Sequence, residues 1–119
     1  MERTRSSKFR RQMKLPKLVQ AATQFEYPFP ITGFLLNAEL RQDGVIHGYI
    51  YNDTKRRFAD GTHISTALVT YIQVELERHI AHTQSGSSYV ICNYYFPSGE
   101  IKKTHNVSIE FVETDHILH

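Results

Sequence analysis

Downstream of Ile31 this chain is cut into short apolar runs by turn signals: Asp43-Gly44, Asp60-Gly61, Ser85-Gly86 and Pro97-Ser98-Gly99. Runs of such length hold a strand and leave little room for a helix. Just upstream, Pro28 and Pro30 in YPFP exclude helix and push their predecessors into extended geometry, so the packed body is expected to begin near Phe29. Seven Tyr and seven Phe, with no Trp, sit mostly among β-branched neighbours, which suits pleated, half-buried strands. With 119 residues, 40% hydrophobic and 22% charged, the chain is one folded domain's worth.

The runs themselves suggest pairings. ITGFLLNAEL, RQDG and VIHGYIYND read as a hairpin closed by an Asp-Gly turn. In its second arm Val45, His47, Tyr49 and Tyr51 face one side and Ile46, Gly48, Ile50 and Asn52 the other, with Gly48 marking a bulge or a close backbone approach. LVTYIQVELERHIAHT satisfies two periods at once. Its β-branched content favours a strand, a turn near Glu77 and a second strand, with Gln73, Glu75, Glu77 and His79 on a wet face, and a helix over 68–82 is the alternative. SYVICNYYF is the strongest strand, followed by the turn PSGE and a last pair-forming run, IKKTHNVSIEFVE. Consecutive antiparallel strands have exposed edges that closure removes. The expected fold is therefore mainly β: a small antiparallel, barrel-like sheet of SH3 or OB size over residues 29–119, behind a basic arm over residues 1–28.

The net charge of +2 is unevenly spread. Arg3, Arg5, Lys8, Arg10, Arg11, Lys14 and Lys17 against Glu2 give the first 17 residues a balance of +6, leaving −4 for the rest. Such an arm can neutralise phosphates and release counterions, or simply keep the chain soluble. Arg3, Arg5, Lys8, Arg10, Arg11 and Lys14 are the candidate nucleic-acid contacts within it. Pro16 can occupy the first turn of a short helix, KLVQAATQF, in which Leu18, Ala21, Ala22 and Phe25 share a face.

The stretch DTKRRFADGTHIST, residues 53–66, joins two strands and concentrates the remaining interest. Asp60-Gly61 is turn chemistry, and Thr62, Ser65 and Thr66 can bond backbone amides as the chain enters the next strand. Lys55, Arg56 and Arg57 are three of the seven cations in an otherwise acidic body, and beside Phe58 they offer a stacking face and a phosphate fork. The bland alternative is a solvated tip with Phe58 tucked into the core. Lys55, Arg56, Arg57, Phe58, Asp60, His63 and Thr66 are the candidate binding residues.

Asp53, Thr54, Lys55, Arg57, Phe58, Ala59, Asp60, Gly61, Thr62, Ile64 and Thr66 compose a pattern, D-T-K-x-R-F-A-D-G-T-x-I-x-T, that resembles a stretch in small phage- and prophage-encoded proteins of no assigned activity. In those proteins a T-x-N-S-x-Y run follows. Here Thr83 is followed by QSGSSY, with an extra residue and no Asn, so the likeness covers about a third of the chain. It implies a phage or prophage accessory protein in a bacterial cytoplasm and carries no catalytic residue across.

Other chemistry finds little footing. The lone Cys92, inside an apolar run, gives neither a disulfide framework nor a cysteine metal cluster. No stretch is long and apolar enough to span a bilayer or serve as a secretory signal, so no membrane partner is expected. His79 and His82, like His116 and His119, are three apart, which on a strand points them to opposite faces. His63-Ile64-Ser65 resembles one half of the paired H-x-S/T motifs of two-histidine phosphoesterases, and a second copy is missing. No metal, no cofactor and no enzymatic activity are expected. The expectation is a small binding module that occupies a host protein, possible inhibition of a host or defence protein included. The alternative is direct binding of nucleic acid or a nucleotide through the arm and residues 55–57, and uncovered strand edges also allow a homodimer.

Overall fold

The computed structural model describes residues 14–75, 77–104 and 107. Among these residues one helix, α1 (Lys17–Thr23), precedes eight strands: β1 (Gly33–Leu40), β2 (Ile46–Tyr51), β3 (Thr62–Ser65), β4 (Val69–Glu75), β5 (Arg78–Thr83), β6 (Ser88–Ile91), β7 (Asn93–Tyr95) and β8 (Ile101–Lys103). The fold is mainly β, and the ambiguous 68–82 stretch is two strands joined by a turn at Glu77, whose φ is 70°.

The strands lie in the order β3-β2-β1-β6-β5-β4, with β7 pairing β1 and β8. Successive hairpins make most ladders antiparallel. After β3 the chain crosses to the far edge and hairpins back, so β6 arrives beside β1 running parallel to it. The sheet is therefore mixed and open, where sequence patterning pointed to an antiparallel barrel. It still curls: Ile64 of β3 and Ile72 of β4, at opposite ends of the order, share one core cluster with Leu35, Ile50, Tyr89, Ile91 and Tyr94. A bond from the Val69 amide to the Gly44 carbonyl, 2.9 Å, draws β4 toward the β1–β2 turn without a ladder between the end strands.

Each face of the sheet has its own cover. On the second face, Phe34, Ile80, Val90 and Cys92 pack against Val19 and Ala22 of α1, both fully buried. Packing thus extends upstream of Phe29, with Leu15, Leu18 and Tyr27 at its margin. The face of α1 turned inward is built on Val19 and Ala22, and Ala21 is exposed. The Tyr27 hydroxyl donates to the Ala22 carbonyl, 2.8 Å, satisfying one of the acceptors at the helix end. Because β5 and β6 are interior strands covered on both faces, their residues are buried almost without alternation, which is why SYVICNYYF reads as a continuous apolar run. The same cover overturns the wet face expected for His79, which is 4% exposed.

The strand partner of β1 changes midway from β6 to β7, and a kink accommodates the change. Asn37 takes a left-handed φ of 54° where the β1–β2 register slips. Its amide donates to Asn93 Oδ1 at 2.7 Å, and Asn93 Nδ2 donates to Asn37 Oδ1 at 2.9 Å, so two side chains replace the interrupted ladder. Opposite this kink, a Cβ on Gly48 would lie 3.3 Å from the Leu36 carbonyl oxygen, the close backbone approach expected there.

Candidate functional site

The loop between β2 and β3 is organised around a residue that the charge pattern concealed. Asp53 has a side chain with no solvent exposure. Its Oδ2 accepts from the amides of Arg57 (2.7 Å) and Phe58 (3.1 Å), and its Oδ1 from the amide of Lys55 (3.2 Å). The Arg57 guanidinium adds two longer bonds of 3.3 Å each. Burial works against the charge on Asp53, but the bonds from the Arg57 side chain and from the amides of Arg57, Lys55 and Phe58 outweigh it, and the carboxyl titrates below its ordinary 3.8. An aspartate opening a turn and followed by unpaired amides is the sequence signal that points to such a role. The nest of amides that would suit a phosphate is filled from within the chain.

The loop is also pinned to the body. The Thr54 amide donates to the Thr32 carbonyl at 2.8 Å, Lys55 Nζ donates to Ser87 Oγ at 2.9 Å, and Arg57 Nη2 donates to the Tyr89 hydroxyl at 3.1 Å. Lys55 and Arg57 thus lean on one wall, at the start of β6. Arg57 also stacks on Phe58 with 5.0 Å from guanidinium carbon to ring centroid, and Phe58 remains 38% exposed rather than tucked into the core. Arg56 is different. It is exposed, its φ is 56°, and its only hydrogen bond runs from its amide to the Asp53 carbonyl, leaving the guanidinium without a partner among the described residues.

The remaining candidates separate from this tip. Asp60 does not bond its own backbone two residues on: its Oδ1 accepts from the Asn52 amide at 2.8 Å, while Gly61, at φ 87°, completes the reverse turn. Thr66 is buried, its Oγ1 accepting from the Ile46 amide and donating to the Ala67 carbonyl, so its role is to tie the end of β3 to β2. His63 lies on the exposed side of β3, 4.8 Å from the Tyr49 ring and 5.9 Å from the His47 ring. Period-two reading had placed His47 and Tyr49 on one side of β2, yet their meeting with His63 depends on strand pairing. Of the arm, Lys14 is exposed, and Arg3, Arg5, Lys8, Arg10 and Arg11 lie outside the described residues, as do His116 and His119.

Two further groups bear on chemistry. Burial pushes the Cys92 thiol up to about 12, with Arg78 opposing, so it is held protonated and unreactive. His82 sits between Ser88 Oγ (2.9 Å from Nδ1) and Gln73 Oε1 (2.8 Å from Nε2), stacked on Tyr71 at 4.6 Å with Phe29 edge-on at 5.1 Å. Desolvation lowers the pKa of both His79 and His82 below 6.5. The unfolded chain therefore binds these protons first, so their contribution is intact above pH 6.5 and is lost as pH falls through the folded values. Urea midpoints should accordingly drop between pH 7.5 and pH 5, and a His79→Gln, His82→Gln variant should lose most of that dependence.

Among the described residues no group of three or more His, Cys, Asp or Glu is placed to hold a metal ion, and no helix is long and apolar enough to cross a membrane. The chain matches no protein-family model, no curated protein and no solved structure. The site's own geometry is what a functional reading has to rest on.

Proposed function

We propose that this protein is a small non-enzymatic binding module of phage or prophage origin, which occupies a host protein in the bacterial cytoplasm through the 53–58 loop. One observation carries the reading: Arg56 is held in a left-handed conformation that costs an L-residue about 1–2 kcal/mol, yet its guanidinium has no hydrogen-bond, ion-pair or ring partner among the described residues. Glycine would fit the backbone better, so arginine at the tip of a braced loop supports a role outside the fold. The flanking cations are committed internally, to Ser87 and to Asp53 with Tyr89, which favours one placed charge beside the Arg57–Phe58 stack over a diffuse phosphate-binding surface. The matching partner surface is a carboxylate beside an apolar patch.

Arg56→Gly separates fold from function. It should stabilise the protein by about 1 kcal/mol in urea while abolishing capture of the partner that the wild-type chain retains from a bacterial lysate. Arg56→Glu should abolish capture through charge reversal. A partner held equally well by both variants would remove the loop from the interface. Oligonucleotide retention that falls steeply with salt and vanishes in Arg56→Gly would assign the loop to nucleic acid instead.

A further inference from the structure

The face of β2 and β3 that carries Tyr49 also brings together two histidines, one from each strand. In the β2–β3 ladder His47 stands opposite Ser65, and Tyr49 opposite His63, so His47 and His63 are diagonal neighbours pointing the same way. Their ring centroids are 5.9 Å apart and nearly perpendicular, at 86°. Metal–nitrogen bonds of about 2.0–2.1 Å on one tetrahedral ion put two imidazole centroids about 5 Å apart, so small side-chain rotations bring this pair to chelating distance. Neither imidazole has a hydrogen bond to a described residue, in contrast to His79, held by Tyr94, and His82, held by Ser88 and Gln73. His63 is exposed and His47 partly so, leaving an ion room for water on its remaining positions. The Tyr49 ring packs edge-on against His63, 4.8 Å between centroids. Across the other ladder Glu39 stands opposite His47, but its carboxylate is engaged by Arg41 at 2.8 Å.

We propose that His47 and His63 form an open two-histidine site for a late first-row divalent cation, with the order of affinity Cu²⁺ above Ni²⁺ and Zn²⁺ that nitrogen donors impose. The site is separate from the Arg56 tip and does not depend on the function proposed for it. The test uses the full chain without a histidine tag, titrated with Cu²⁺ and with Zn²⁺ by calorimetry, and with Cu²⁺ by NMR broadening of the imidazole protons. One ion should bind, reversibly by chelator, broadening His47 and His63 before His79 and His82. His47→Gln and His63→Gln should each weaken binding at least tenfold and the double variant should abolish it, with the thermal midpoint of the metal-free protein little changed. A His116→Gln, His119→Gln variant should bind as the wild type does. The proposal is overturned if the double variant at 47 and 63 binds as well as the wild type, if copper affinity is lost with His116 and His119 instead, or if no binding is detected.

Discussion

Tyr94→Ala is expected to destabilise the protein by about 4 kcal/mol, a large share of the roughly 5–15 kcal/mol that holds a domain together. Tyr94 is among the largest side chains with no exposure, and it lies in the core cluster shared by both ends of the sheet. Truncation opens a cavity beneath β1, whose Ala38 pairs with Tyr94, and removes the ring contacts with Phe96 and His79. It also strips the buried His79 Nδ1 of the Tyr94 hydroxyl, 2.7 Å away. Tyr94→Phe isolates that last part and should cost about 1–2 kcal/mol. Urea unfolding of the two variants reads the difference. A Tyr94→Ala midpoint close to that of the wild type would mean the two ends of the sheet do not share this core.

Asp53→Ala should cost about 3 kcal/mol and lower the melting midpoint by roughly 10 °C. Three backbone amides lose their acceptor at once, and they dominate the loss, because Arg57 is 39% exposed and its ion pair is screened by water. If the proposed interface is right, the variant should also lose capture of the proposed partner although Arg56 is still present, since the left-handed turn that carries Arg56 is built on the aspartate. Wild-type stability and capture in Asp53→Ala would show that the Thr54, Lys55 and Arg57 contacts alone hold the loop. Asp53 also sets an acid limit: its lowered pKa makes its contribution complete above pH 3.8 and lost as pH falls through the folded value, whereas the contributions of His79 and His82 begin to fall already at pH 6.5.

Much of the architecture was legible because its causes are local. Glycine-marked turns bounded the hairpins, alternation separated Ile46 and Ile50 from His47 and Tyr49, and β-branched content decided the 68–82 stretch. The open, mixed arrangement was not legible, since the parallel pairing of β1 with β6 depends on which edge the chain returns to after β3, and no local preference encodes that choice. The candidate site divides in the same way. The cationic loop, its turn and the bond of Thr66 to a backbone amide were evident in DTKRRFADGTHIST, but Thr62 donates to the Ala59 carbonyl instead of accepting from an amide, and the commitment of Lys55 to Ser87 and of Arg57 to Tyr89 exists only once β6 lies beside the loop.

By itself, then, the amino-acid order determined what each short segment prefers: strand, turn, buried side or wet side, because those preferences arise from a residue and its near neighbours. Tertiary structure alone decided which charges are paired inside the molecule and which stay exposed, leaving Arg56 outward, Asp53 inward, and His47 beside His63. The reason is that desolvation and hydrogen-bond pairing are properties of neighbours in space, and these neighbours meet only when the sheet has curled.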